Sequence, residues 1–318
     1  YSRSSNKFSL EKIEMGFDFV ESQAVVSGML ETLLQPIIEK FSGQVSVAFQ
    51  RFSDDSTKLI TGGSSYLYNA GQTTRSASLI KVPIMTCALE RVARGELNLE
   101  QRYELKTDEM VSGTGVLLAL QQDLQLTLLD LLTLMIIVSD NTATNMLIDI
   151  VGQDSINAYF QYLGLSQTKL IGKLQLPDHK QNEAQRRGAR NSTCAADMLG
   201  LLVRLEHREL LPDDLTKTAL DILKRQQFTE ALSRYLPTDA GLFDDYVTVA
   251  SKGGCLRGVW HDAGIVYDKH YTPLYALVVM TDGSADESFS WEQEGMMLIA
   301  NVSRAIYNFV HSDRFQRD

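Results

Sequence analysis

The fold class this sequence predicts is an α/β sandwich whose antiparallel sheet is formed by both chain ends, with an all-α lobe inserted between them. Three observations predict it. A β-rich run occurs early, from Val45 to Phe52, and three more occur late, between Tyr246 and Met280. Between them apolar residues recur at helical spacing, and the helix ending at Val138 is apolar on nearly every side, which places it at the centre of a lobe. Strand signals at both ends with helices between are satisfied by one sheet closed from the two ends.

In order along the chain, Phe19, Val26, Met29, Leu33, Leu34, Ile37 and Ile38 mark a first amphipathic helix within Phe17–Phe41, and Gly43 stops it. Val45–Phe52, a turn at Asp54-Asp55-Ser56 and a return strand Lys58-Leu59-Ile60-Thr61 read as a hairpin. Ser78–Leu97 reads as a helix. A capping-box-like Thr127-Leu128-Leu129-Asp130 opens the next, and further helices are expected at Thr142–Ile150, Ser155–Leu163, Ala195–Glu206, Leu215–Lys224 and Thr229–Tyr235. Leu165–Thr193 has no clean period and reads as a long excursion, a length that usually serves function. Strands at Tyr246–Ala250, Gly258–Tyr267 and Tyr271–Met280 precede a last helix over Trp291–Val310. The expected division is a disordered tail over 1–16, a sandwich lobe over 17–77 and 220–318, and a helical lobe over 78–219.

Charge and cysteines narrow the function. The 318 residues carry 30 Lys and Arg against 40 Asp and Glu, a net charge of −10, which argues against nucleic acid as partner and asks for a local basic site if the substrate is anionic. Cys87, Cys194 and Cys255 are odd in number and lack C-x-x-C spacing, so neither a disulfide framework nor a structural zinc site is expected, while one bridge stays open. His179, His207, His261, His270 and His311 form no ligand-spaced pair, so no metal is expected. The apolar run Leu128–Val138 is interrupted by Asp130 and Thr133 and is too short to span a bilayer. The start at Tyr1-Ser2-Arg3 reads as a processed or truncated end.

Three strings carry the chemistry: Ser78-Leu79-Ile80-Lys81, Ser139-Asp140-Asn141 and Lys252-Gly253-Gly254. Ser78 opens an apolar helical run, unlike the other S-x-x-K copies at Ser4, Ser9 and Ser166. Lys81 falls one turn later on the same face, where as a neutral amine it can take the Ser78 proton. Its neutrality needs burial or a neighbouring cation, and Lys252 is the candidate. Ser139 can pass a proton to a leaving nitrogen, and Asn141 can hold a substrate amide with a donor and an acceptor. Gly254 permits close approach of a ligand to the strand, and the amide of Cys255 can pair with that of Ser78 as an oxyanion hole. Each string alone reads as a cap or a turn; their order and settings together point to a self-acylating serine hydrolase. A Ser-His-Asp arrangement through His261 and Asp262 is awkward, because neighbours on a strand face opposite ways.

These strings, with Leu126–Asn145 as the most specific stretch and Gly258–Gly264 as a second, resemble the class A β-lactamase and penicillin-binding serine hydrolase superfamily. The resemblance implies the sandwich-plus-helical-lobe fold with the site between the lobes, no organic cofactor, a β-lactam or peptidoglycan-like substrate, export, and a monomer. Two departures stand out. Gly253 replaces the hydroxyl residue of the usual Lys-Thr-Gly, which leaves Arg257 as the substitute cation for a substrate carboxylate. The Glu-x-x-Leu-Asn string that supplies the deacylation base is missing from Leu165–Thr193, where Asp178 and Glu183 are the acids available. Beside β-lactam hydrolysis stand a D-alanyl-D-alanine carboxypeptidase or esterase, and a β-lactam-binding sensor that stays acylated.

Overall fold

In a computed structural model of the chain, residues 25–52, 64–121 and 123–315 are described. The last three strands of the main sheet are β7 (Thr248–Leu256), β8 (Val259–Tyr267) and β9 (Pro273–Asp282), and the first two are β1 (Gln44–Arg51) and β2 (Ser65–Tyr68). They pair antiparallel in the order β2-β1-β9-β8-β7, so the sheet does join the two ends of the chain, with Val47 opposite Val279 at the seam. β9 is apolar almost throughout because both its faces are covered. Ala276, Val278 and Met280 face the helical core, whereas Leu277 and Val279 face the opposite layer, made of helix α1 (25–38) and the C-terminal helix. The expected tail, residues 17–24 of the first helix and the return strand Lys58–Thr61 lie outside the described residues; the strand that pairs with β1 is β2.

The helical layer follows its local signals. A 3₁₀ turn, Ala77–Ile80, leads into α2 (Lys81–Ala93). Thr127 caps α3 (Leu128–Ile137) through the expected box: its hydroxyl accepts from the Asp130 amide at 3.0 Å, and its own amide donates to the Asp130 carboxylate at 2.9 Å. α4 (Asn141–Val151), α5 (Gln153–Tyr162), α6 (Glu183–Arg186), α7 (Ala195–Glu206), α8 (Asp213–Lys224) and the C-terminal α9 (Glu294–Phe315) complete the helices described. α7 lies directly on β9 and β1, and α8 on β7, so one hydrophobic core runs from the helical layer onto the sheet without a break at residue 219.

One expected helix does not form. Residues 229–235 make turns, because the Leu232 amide donates to the Asp262 carboxylate of β8 at 3.0 Å rather than to a carbonyl one turn back, and Pro237 follows. Short strands pin the remaining connections: β3 (Thr74–Arg75) pairs with β6 (Ser192–Thr193), and β4 (Arg102–Glu104) with β5 (Gln125–Thr127). The first of these pairs ties the residues just before Ser78 to the close of the 165–193 excursion. The Asn191 side chain closes that excursion by accepting from the Ile171 and Gly172 amides at 2.7 and 3.1 Å and donating to the Gly172 carbonyl.

Candidate active site

Ser78 sits half-buried in the 3₁₀ turn rather than on a regular helix, and the residue before it, Ala77, has φ +44°. A left-handed conformation at a residue with a β-carbon is costly and persists only where its surroundings hold it. Ser76, wholly buried, donates its amide to the Asn191 carbonyl at 2.8 Å. α2 then starts at Lys81, so the nucleophile candidate and its base candidate are separated by one tight turn.

Lys81 is fully buried, and its Nζ donates to the Ser139 carbonyl at 2.6 Å, to Ser139 Oγ at 3.0 Å and to Asn141 Oδ1 at 2.9 Å. Burial, followed by the like charge of Lys252, pushes its pKa well below the usual lysine range against the attraction of Asp140. Once neutral it has a lone pair, and the Ser139 hydroxyl can reverse its role and donate to it. Lys252 is also wholly buried, and burial lowers its pKa to about 8.

Ser139 itself has φ +54°, a second strained residue at the same place. The loop 111–117 holds it there. Thr114 Oγ1 donates to the Ser139 carbonyl at 2.7 Å, and Asn141 Nδ2 donates to the Ser112 carbonyl at 3.1 Å. Asp140 caps α4 by accepting from the Ala143 amide at 2.9 Å, while its other oxygen accepts from the Val116 and Leu117 amides at 2.7 and 2.9 Å. The loop comes so close that a β-carbon on Gly115, at φ +115°, would fall 2.3 Å from the Asp140 carboxyl carbon.

Strand β7, at the sheet edge, lies against the Ser78 turn. A β-carbon on Gly254 would stand 2.7 Å from the Ser78 backbone nitrogen, so that glycine sets the approach. Cys255 follows it; burial raises its thiol pKa, opposed by Lys252 and Lys81, and all three cysteines are free. Ser78, Lys81, Ser139, Asn141, Lys252, Gly254 and Cys255 thus gather where the helical layer meets the sheet edge.

Three expected residues do not join them. Arg257 lies in the β7–β8 turn with its side chain 75% exposed and pairs with Glu287 at 3.4 Å. Asp178 and Glu183 are exposed: the first accepts from Gln181 at 3.2 Å, and the second opens the short α6 and pairs with Arg187. A solvated carboxylate committed to such a partner is poorly placed to activate a water inside the site. Among the described residues no group of three or more His, Cys, Asp or Glu stands together as a metal cluster.

A family model described as "Beta-lactamase enzyme family" matches residues 29–310. The chain belongs to the β-lactamase enzyme family. It is a serine β-lactamase-like hydrolase. Among solved structures it is similar to the β-lactamase from Sphaerobacter thermophilus DSM 20745, with 27% identity, 89% of this chain and 96% of that chain covered, and a TM-score of 0.74. A mutant of PBP-A held as an acyl-enzyme complex with penicillin G is 26% identical over 88% of this chain and 97% of that chain, with a TM-score of 0.72. A β-lactamase from Chitinophaga pinensis DSM 2588, 21% identical over 88% and 98% with a TM-score of 0.71, shares the fold. No curated protein sequence matches at a significant level.

In this β-lactamase-family chain the sequence reading missed the segment beside Asn141. Asn145, one turn further along α4, donates to the Leu174 carbonyl at 2.9 Å and accepts from the Leu174 amide at 2.8 Å. Gln175, at φ +53°, comes next, and the β-carbon position of Gly113 is 2.5 Å from Asn141 Nδ2 and 3.5 Å from Gln175 Cγ. Leu174 and Gln175 are therefore the part of the excursion that stands by the site. The available signal was the i, i+4 spacing of Asn141 and Asn145, which puts both amides on one helix face.

Proposed function

We propose that this protein opens β-lactam or peptidyl-D-alanine-like carbonyls through an acyl-enzyme on Ser78, and that it forms this intermediate faster than it hydrolyses it. Lys81 carries the reading: a lysine wholly buried, beside a second buried lysine and in contact with Ser139, is a base rather than a solvated cation. In acylation the Ser78 proton passes to Lys81 Nζ as Oγ bonds to the carbonyl carbon. The Ser78 and Cys255 amides take the oxyanion charge. As the C–N bond breaks, the proton reaches the leaving nitrogen through the Ser139 hydroxyl. Asn141 orients the substrate amide, and Lys252 attracts the substrate carboxylate.

Slow hydrolysis follows from Leu174, since the loop residue that Asn145 holds beside the site has no carboxylate to activate a water. That observation favours the peptidase-like or sensor reading over rapid β-lactam turnover, and the penicillin-bound form of PBP-A, a neighbour at 26% identity, agrees with acylation by a β-lactam. Export belongs to the same reading, because such substrates lie outside the cytoplasm. No described helix is long and apolar enough to cross a membrane.

Intact-mass spectrometry after mixing with penicillin G tests the proposal. We expect an adduct of the full penicillin mass that persists for many minutes in the wild-type protein and is absent from folded Ser78→Ala. An adduct on folded Ser78→Ala would remove Ser78 as nucleophile. Rapid loss of penicillin with no adduct in the wild type would show that deacylation has an efficient base.

A further inference from the structure

We propose that His261 is the positioning residue that holds the Ser78 turn at its working distance from strand β7. It lies on β8 directly opposite Gly254, the residue whose β-carbon would collide with the Ser78 amide. The imidazole is wholly buried, and its Nε2 is 2.7 Å from the carbonyl oxygen of Arg75, three residues before Ser78. One ring therefore spans from the sheet to the strand that delivers the nucleophile. Both halves of the oxyanion hole, the Ser78 amide and the Cys255 amide next to Gly254, depend on the gap that this ring sets.

The Arg75 contact requires a proton on Nε2. A carbonyl oxygen can only accept, so Nε2 carries the proton shared with Arg75. Nδ1 receives the Thr281 amide at 3.2 Å. The Trp260 carbonyl, which accepts from Thr281 Oγ1 at 2.8 Å, also stands 2.8 Å from Nδ1, so Nδ1 has a donor and an acceptor in reach while Nε2 has only the Arg75 carbonyl. Burial lowers the imidazole pKa, opposed by the Arg75 and Trp260 carbonyls, which favour a proton on the ring nitrogens facing them.

The turn needs such a hold. Ala77 is strained at φ +44°, and its release would rotate the Ser78 amide away from β7. The Arg75 guanidinium is fixed by Asp282 at the end of β9, Nη2 to Oδ1 at 2.6 Å and Nε to Oδ2 at 3.3 Å, and the Ser76 amide by Asn191. Those contacts steer the side chain of Arg75 and the amide of Ser76; the Arg75 carbonyl is taken by His261 at 2.7 Å, with a long contact from Thr74 Oγ1 at 3.5 Å beside it. It touches no reacting atom and acts only through the turn.

The inference rests on Ser78 as nucleophile, and the test separates the two. Penicillin G acylation is followed by quenched-flow intact mass across substrate concentrations, which yields the acylation rate constant and the pre-covalent dissociation constant separately. His261→Phe should lower the rate constant about 100-fold, the scale of a misplaced reacting group, with the dissociation constant changed less than about threefold. His261→Gln, whose amide nitrogen can still donate to the Arg75 carbonyl, should recover at least about tenfold of that loss, as expected for restoring one aimed donor. A folded His261→Phe protein that acylates at the wild-type rate, or equal losses in Phe and Gln, would overturn the positioning role. Labelling of folded Ser78→Ala would instead overturn the nucleophile assignment. Should His261→Phe fail to fold, the ring nitrogens of the wild-type protein still decide: nitrogen-15 spectra should show a protonated Nε2, and a ring whose Nε2 carries no proton would end the proposal.

Discussion

Two adjacent glycines on β7 bear different steric demands. At Gly254 an added β-carbon meets the Ser78 backbone nitrogen at 2.7 Å, whereas at Gly253 its first neighbour is the His261 carbonyl at 3.7 Å, an ordinary contact. Gly254→Ala must push the Ser78 turn outward, and its acylation rate constant should fall by about 100-fold without loss of the fold, while Gly253→Ser should stay within about threefold of wild type. Penicillin acylation by intact mass reads both, and an unimpaired Gly254→Ala would mean that β7 does not set the oxyanion distance. The neighbouring Lys252 gives a second prediction. Its pKa, pushed down to about 8 by burial, leaves it charged below that pH and neutral above. Acylation should climb as Lys81, held well below the usual lysine range by burial and Lys252, loses its proton, and decline as pH rises through about 8, where Lys252 loses the charge that attracts the substrate carboxylate. Lys252→Arg, which stays charged to beyond about pH 12, should keep the acid limb and lose the alkaline one. An unchanged alkaline limb in that variant would assign it to another group.

Among the elements, α4 works as a ruler. Asp140 caps it, Asn141 in its first turn touches Lys81, and Asn145 a turn later grips both backbone groups of Leu174. That grip uses only the backbone, so it survives a change of side chain at 174, although the Leu174 side chain also packs against the helical core and its replacement gives up that packing. Leu174→Glu should therefore place a carboxylate at the site and speed loss of the penicillin adduct by at least about tenfold, at the low end of what a positioned general base supplies. Asp178→Asn and Glu183→Gln should leave adduct lifetime unchanged, and a longer lifetime in either would return the water-activating role to the exposed acids. This loop also marks the limit of what the sequence disclosed. The α3 capping box, the late strands and the three motif strings were legible because each is a local pattern of side chains. The role of Leu174 was not, since its place is set by an amide from a helix 29 residues earlier. Nor was the turn at 229–235, whose apolar spacing suits a helix but whose Leu232 amide is engaged by a carboxylate on β8.

For the molecule as a whole, the sheet separates two hydrophobic cores and carries a buried charge toward each. Lys252 serves the site on the helical side; Asp262, on the neighbouring strand, holds the 229–235 turn, which packs Leu232 and Leu236 into the α1/α9 core. Asp262 Oδ2 accepts from the Leu232 amide, while Oδ1 has no hydrogen-bond partner among the described residues. Burial raises its pKa to about 6 from 3.8, opposed by the Leu232 amide and by Lys252. The folded state thus holds this proton more tightly than the unfolded chain, and its contribution to stability is fully present below about pH 4 and lost as pH rises through about 6. A shift of that size corresponds to roughly 3 kcal/mol. Other carboxylates titrate in the same range, so the measurement is a difference: unfolding free energies from denaturant titration of wild type and Asp262→Asn, taken at several pH values. Relative to Asp262→Asn, the wild type should lose stability between about pH 4 and 6.5 and run parallel to it from there to about pH 7.5. Its side-chain oxygen can still accept from Leu232 in the Asn variant, which keeps the turn in place while removing the titration. A difference that grows in favour of the wild type over the acidic range would mean that the Asp262 carboxylate is stabilised in the fold by Lys252 more than burial penalises it.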